Sequence, residues 1–290
     1  MVQVSYSTAG FGRVELGPAL DSLRSAGFQS VELACDRHAS GDHPSQFTDD
    51  IRRQLQDRGM TASTVHAPAR RVVLGAPDEE WRQESVKTLS DAVRFTGGIG
   101  AKGIVIHGIP NPMFLPQDCE MKSLYAKMVD AMRRSVEELV PVAAEAGVRL
   151  LLENLPYNRD LRIAEKEADY PLMHMADLRE FVEDFPPQQV ALIIDVGHSW
   201  TNRMDPATEI LAAGDRLWGT HIQDVDFDDP CDNHWTPTQG GLDWPSILSA
   251  LSEVKYSGTY TFEVIMPRHD ETADELATMT FAVAQAWGLV

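Results

Sequence analysis

Paired cysteines, basic charge and long apolar runs are all scarce in this 290-residue chain. Its three cysteines, Cys35, Cys119 and Cys231, form an odd set with no C-x-x-C pair. That speaks against a disulfide framework and a thiolate zinc site, and reduced thiols in a cytoplasmic protein are expected. Lys and Arg number 25 against 44 Asp and Glu, a net charge of -19. Phosphate backbones need clustered cations, so nucleic acid is not the expected partner. No apolar run approaches the roughly 20 residues of a membrane span, so no membrane partner is expected. The opening Met1-Val-Gln-Val-Ser-Tyr6 has neither the basic region nor the apolar core of a signal peptide. Internal repeats, low-complexity tracts and interdomain linkers are missing too. Hydrophobic residues at 43% and charged residues at 24% are ordinary for a globular protein. The length suits one domain filling 1–290, since α/β barrels reach this size.

What the chain does have is a repeated pattern of short apolar runs ending in a polar group. Val190-Ala-Leu-Ile-Ile-Asp195 is five apolar residues closed by a carboxylate, with His198 three residues on. Such a run reads as a strand buried on both faces. An Asp at its end is costly unless a cation or hydrogen bonds hold it, or unless it caps a following helix. Gly103-Ile-Val-Ile-His107, Arg149-Leu-Leu-Leu-Glu153, Leu217-Trp-Gly-Thr-His221 and Thr259-Tyr-Thr-Phe-Glu263 follow the same plan.

In order, strands are predicted at 2–6, 30–35, 61–68, up to His107, up to Glu153, up to Asp195, up to His221 and over 259–265. Helices are predicted at 16–27, 45–58, 78–95, 122–146, 177–185, 206–213, 244–254 and 271–287, with long loops at 156–176 and 224–241. Regular β-α alternation gives a parallel sheet with right-handed crossovers. Eight units in about 250 residues match a single (β/α)8 TIM barrel, whose active-site groups sit at the C-terminal strand ends. An open doubly wound sheet would use one crevice rather than six or seven strand ends.

The metal-competent or acid-base side chains at those ends are Glu32, His66, His107, Glu153, Asp195, His198, His221, Asp232, His234 and Glu263. Mixed carboxylate and imidazole donors suit a divalent ion such as Mn, Zn, Co or Mg. Glu153, Asp195, His221 and Glu263 come from four consecutive strands, so their tips can converge on one ion. Singly, each also reads as a buried acid in an ion pair or a core histidine bonded to a carbonyl. Several further residues are candidates for supporting roles. Asp224 would orient His221, and Glu32 reads as a supporting or rim acid. Arg70-Arg71 would hold an anionic group or form a solvated pair, and Trp200 and Trp235 would stack on a sugar or close the barrel mouth. The C-x-x-H spacing of Cys231 and His234 reads as coincidence.

The series His66-Ala-Pro, Ile106-His107-Gly, Leu152-Glu153-Asn, Asp195-Val-Gly-His198, His221-Ile-Gln-Asp224, Asp232-Asn-His234 and Phe262-Glu263 resembles the xylose isomerase-like TIM barrel superfamily of sugar and sugar-phosphate isomerases and epimerases. The resemblance covers nearly the whole chain. It implies a divalent metal on Glu153, Asp195, His221 and Glu263, with His198 beside them. It also reaches endonuclease IV, a three-zinc nuclease of the same fold, whose ligand types would fall on His66, His107, Glu153, Asp195, His198, His221, Asp232, His234 and Glu263. The acidic charge and the lack of basic or intercalating loops favour the sugar enzymes. Against the ketose 3-epimerases the chain departs at two positions, with Arg159 where they carry a Glu and Phe227 where they carry an Arg. The resemblance therefore singles out no substrate. It is compatible with a homo-oligomer, to which no stretch of the sequence points.

The expected activity is metal-dependent isomerisation or epimerisation of a sugar, cyclitol or related hydroxy-carbonyl compound through an enediolate. Glu153 and Glu263 would act as acid-base groups, and His66, His107 and His198 would bind substrate oxygens. The alternatives are a lyase (dehydratase) on similar substrates, an endonuclease IV-like zinc phosphodiesterase, and a barrel that has lost turnover.

Overall fold

A computed structural model describes residues 3–41, 43–115, 122–156, 170–228 and 231–290. Its eight strands are β1 Gln3–Ser7, β2 Ser30–Ala34, β3 Thr61–His66, β4 Gly103–His107, β5 Arg149–Glu153, β6 Val190–Asp195, β7 Leu217–Ile222 and β8 Thr259–Phe262. They pair in chain order, all in parallel, and β8 closes on β1. The fold is the expected (β/α)8 TIM barrel. The main helix of each unit, in order, spans Leu16–Ala26, Thr48–Asp57, Glu79–Gly98, Lys122–Ala146, Met175–Val182, Pro206–Ala213, Trp244–Glu253 and Ala273–Ala286. Several start on legible caps: Asp78, Asp205 before Pro206, Asp243, and a Thr272–Glu275 capping box. No helix among the described residues is long and apolar enough to cross a membrane.

Side chains two apart on a strand share a face. Ile104, Ile106, Leu150, Leu152, Leu192 and Ile194 join the helices in the main core. The intervening Val105, Leu151, Ala191 and Ile193 form a separate small cluster with Trp218 inside the barrel. The next inward positions are His107, Glu153 and Asp195. Strand periodicity therefore delivers these polar groups to the mouth of the lumen, above the apolar Val105, Leu151 and Ile193.

Several details differ from the sequence expectation, beginning with the strand expected at 61–68, which ends at His66, and the helix expected at 45–58, which starts at Thr48. β8 stops at Phe262 rather than Ile265. Glu263 N still donates to Ile222 O at 3.1 Å, but Ile265 N turns to His234 O at 2.9 Å, so the chain leaves the ladder to hold the loop after β7. Two short helices, Cys35–His38 and Val196–Thr201, were not anticipated. The second has Gly197 and Thr201, poor helix formers, and is fixed instead by its cap: Asp195 accepts from His198 N at 2.8 Å. The helix expected at 177–185 runs from Met175 to Val182, because Glu209 accepts from Met175 N at 2.6 Å. Of the expected loop 156–176, residues 157–169 lie outside the described residues, as do Arg159 and Cys119.

Candidate active site

Glu153, Asp195, His221 and Glu263 meet at the C-terminal ends of β5 to β8, with one donor atom from each within 4.8 Å of the others. All four are buried. His221 Nδ1 lies 2.7 Å from Glu153 Oε1 and 3.2 Å from Glu263 Oε2. Asp195 thus does two things at once: it caps a helix and turns its carboxylate to this cluster. The cluster's chemistry fits a divalent ion. It offers three carboxylates and an imidazole, and Glu153 Oε2 is buried with no hydrogen-bond partner among the described residues.

Two further groups of metal-competent donors adjoin it. His66, His107 and Glu153 form one, with Glu153 Oε2 at 3.4 Å from His107 Nε2 and 3.7 Å from His66 Nε2. His198, Asp232 and His234 form the other, with Asp232 Oδ1 at 3.3 Å and 3.0 Å from the two Nε2 atoms. A carbonyl only accepts, so the ring contacts to carbonyls fix which nitrogen carries a proton. Nδ1 of His66, His198 and His234 donates to Ala67 O, Asn154 O and Glu263 O respectively. Each therefore turns Nε2 toward the mouth. His234 holds a positive φ of 50°, a strained conformation for a non-glycine residue. Gln223 Oε1 accepting its N–H and Ile265 N donating to its carbonyl keep it there.

The supporting shell was only partly legible. Glu32, expected as a supporting or rim acid, is wholly buried beneath the mouth. It takes His221 Nε2 at 3.0 and 3.1 Å and the Thr64 hydroxyl at 2.8 Å. Asp224 does not orient His221. Its carboxylate accepts from Val225 N, Leu242 N, Thr238 N and Trp244 Nε1, organising the loop after β7. The residue that sequence reading missed is Gln223. Its amide donates to Asp195 at 3.2 Å and to Asp232 at 3.0 Å, bridging two of the donor groups. Gln223 is two residues past His221, hence on the same inward face, whereas Asp224 is not; period two was the available signal. Asn154 also serves the site, exchanging bonds with the Asp195 backbone at 2.8 and 3.0 Å.

Burial opposes charge throughout this cluster, and mutual pairing overrides it at most positions. Burial disfavours a charged His221, yet Glu263, Glu32 and Glu153 hold its pKa well above the ordinary histidine range. His198 is likewise held high against burial by Asp195 and Asp232. His66 rises to about 9 against burial through Glu153, and His234 to about 10 through Asp232. His107 goes the other way, lowered by burial and by the neighbouring histidines. The two carboxylates split. Glu153, despite burial, is drawn well below the usual carboxylate range by His221, His107 and His66. Glu263 is pushed up by burial, with Glu153 adding to the rise.

A cavity of about 440 Å³ opens over this cluster, lined by His66, His107, Glu153, His198, Asp232, His234 and Glu263 among others. Arg70 lines it as well, whereas Arg71 lies over the Trp81 ring at 5.0 Å. Neither tryptophan expected at the mouth is among its lining residues. Trp200 stacks on Phe227 at 4.7 Å, and Trp235 lies under Arg268. Cys231 stands outside all three donor groups.

A family model described as xylose isomerase-like TIM barrel matches residues 20–281. The chain is 23% identical over 254 residues to the uncharacterized protein MJ1311 of Methanocaldococcus jannaschii, covering 86% of this chain and 78% of that one. It is 22% identical over 246 residues to a D-psicose 3-epimerase of Enterocloster bolteae, covering 84% and 75%. Among solved structures, the 3-keto-D-glucoside 4-epimerase YcjR of E. coli superposes with a TM-score of 0.76 at 20% identity, covering 99% and 98%.

Proposed function

This chain belongs to the xylose isomerase-like TIM barrel family, and from that premise we propose that it is a metal-dependent isomerase or epimerase of a sugar, cyclitol or related hydroxy-carbonyl compound. One observation carries the reading: four buried donors, Glu153, Asp195, His221 and Glu263, sit within 4.8 Å of one another at the strand ends of a barrel. The cavity above them is of small-molecule size. The names of the D-psicose 3-epimerase and 3-keto-D-glucoside 4-epimerase relatives agree with it.

Glu153, Asp195, His221 and Glu263 would hold the ion. When bound, a divalent ion supplies positive charge for the substrate oxygen on which electrons collect. The chain's own groups move the proton. A carboxylate of Glu153 or Glu263 takes it from the carbon beside the carbonyl, and the C–H electron pair passes to the carbonyl oxygen to give an enediolate. Return of the proton by the same carboxylate to the former carbonyl carbon, with the hydroxyl proton of the first carbon's oxygen passing to the former carbonyl oxygen, completes isomerisation. Return by the other carboxylate to the opposite face completes epimerisation. Expulsion of a β-hydroxyl from the same intermediate is the lyase outcome. His66, His107 and His198 donate hydrogen bonds to substrate oxygens and fix which carbon faces the acids.

Glu153→Asp and Glu263→Asp test the acid-base roles. Each keeps the charge but withdraws it by roughly 1.5 Å, enough to spoil a positioned proton transfer. Each variant should still bind metal, as measured by elemental analysis, while turnover falls on the order of 100-fold or more. Near wild-type turnover in both, with metal bound, moves the base elsewhere. Glu153→Gln, Asp195→Asn, His221→Ala and Glu263→Gln should each lose the ion. A second reading, phosphodiester hydrolysis, draws on the two adjoining groups His66/His107/Glu153 and His198/Asp232/His234. Abasic-site DNA cleavage at low enzyme concentration, with two or three ions per chain, would put it first.

A further inference from the structure

We propose that Arg70 recognises an anionic group of the substrate, a carboxylate or a phosphate monoester, so that the substrate is an acidic sugar derivative rather than a neutral ketose. This rests on the isomerase or epimerase reading of the same cavity. Arg70 is the one Lys or Arg among the described residues that line the cavity. No carboxylate lies within ion-pair range of its guanidinium, and no hydrogen bond occupies it, among the described residues. Arg70 thus differs from the arginines that acids take up, such as Arg52 by Asp49, Arg58 by Asp21, Arg82 by Glu79 and Arg133 by Asp184. Asp36 lines the same cavity, but its carboxylate accepts from Ala69 N at 3.1 Å.

The backbone explains why Arg70 emerges on this side. The segment after β3 is fastened along its length: Ala67 N bonds Val105 O, Leu74 N bonds His107 O, and Gly75 N bonds Gly108 O. Arg71 adopts a left-handed φ of 62°, its carbonyl accepts from Trp81 Nε1, and its guanidinium covers the Trp81 ring. With Arg71 committed outward, Arg70 projects at the cavity. A guanidinium presents a planar fork that matches carboxylate or phosphate oxygens in pairs, and it gains little from a neutral hydroxyl. The histidines and carboxylates below already serve hydroxyl and carbonyl oxygens, so the cation above them is the group left for a charge.

Three ligands that differ only at C6 test this: D-fructose, D-fructose 6-phosphate and D-fructuronate, titrated calorimetrically into metal-loaded wild type, Arg70→Gln and Arg70→Lys. In wild type, at least one of the two anions should bind about tenfold or more tighter than D-fructose, and which one does so assigns phosphate or carboxylate. Arg70→Gln should bring that anion to the affinity of D-fructose. Arg70→Lys, which keeps the charge but not the fork, should fall between. Equal affinity for all three ligands in wild type, or a preference that persists in Arg70→Gln, overturns the proposal. Binding is read without turnover. An Arg70-dependent preference without proton exchange in any ligand would therefore sink the reaction and leave this assignment standing.

Discussion

His221 is the residue on which the site turns. Nδ1 faces Glu153 and Glu263, and Nε2 faces Glu32 at 3.0 Å, so an ion held with the two glutamates would take Nδ1 while Nε2–H stays on Glu32. A carboxylate behind a ligating imidazole fixes its tautomer and raises its basicity. Replacing Glu32 by Gln keeps an acceptor for Nε2–H and removes the charge. The expected result is a metal dissociation constant weaker by about 10- to 100-fold, in a protein that still folds. An unchanged constant, measured by competition with a chelating dye, would contradict the role. From the sequence, Glu32 was visible as an acid inside a strand, but its partner was not. β2 and β7 are not neighbours, and only barrel closure brings residues 189 apart in sequence to within hydrogen-bond distance. Asp224 was misassigned for a related reason: adjacency to the His221 motif was followed rather than the alternation of faces, which selects Gln223.

Strands and their exits were legible because period and termini agree: an inward residue every second position, and a polar group where each apolar run ends. The short helix Val196–Thr201 was not, because its sequence favours no helix and its cap is a site carboxylate. Within it, Gly197 packs against Gln223. A Cβ there would come within 2.4 to 2.6 Å of the Gln223 amide atoms. On an open helix face, Ala in place of Gly would add up to about 1 kcal/mol of stability. Here the Gln223 amide must swing away, releasing Asp195, Asp232 and the His234 N–H together. Gly197→Ala should therefore weaken metal binding by about tenfold or more, while the melting temperature of the metal-free protein moves by only a few degrees. A metal affinity equal to wild type would show that Gln223 is not needed to hold the donors.

At the scale of the molecule, a regular β-α alternation was enough to name the barrel. Barrel geometry then explains why donors from β2 through β8 and the loop after β7 reach one mouth. What the sequence left open is the use of that mouth. The overall charge of -19 and the acid-lined cavity oppose a duplex, and Arg70 is the cation at the cavity wall to which we assign a single anionic group of a small ligand. On the proposed reading, carboxylates at this mouth move a proton on carbon. Incubating metal-loaded protein in D₂O with a panel of ketoses, neutral and acidic, and following the protons beside the carbonyl by NMR tests it most directly. At least one ketose should lose that proton signal to deuterium, at a rate that collapses in Glu153→Asp or Glu263→Asp, as an epimer or isomer accumulates. Retention of every carbon-bound proton across the panel by fully metal-loaded protein, with abasic-site DNA cleaved under the same conditions, would contradict it.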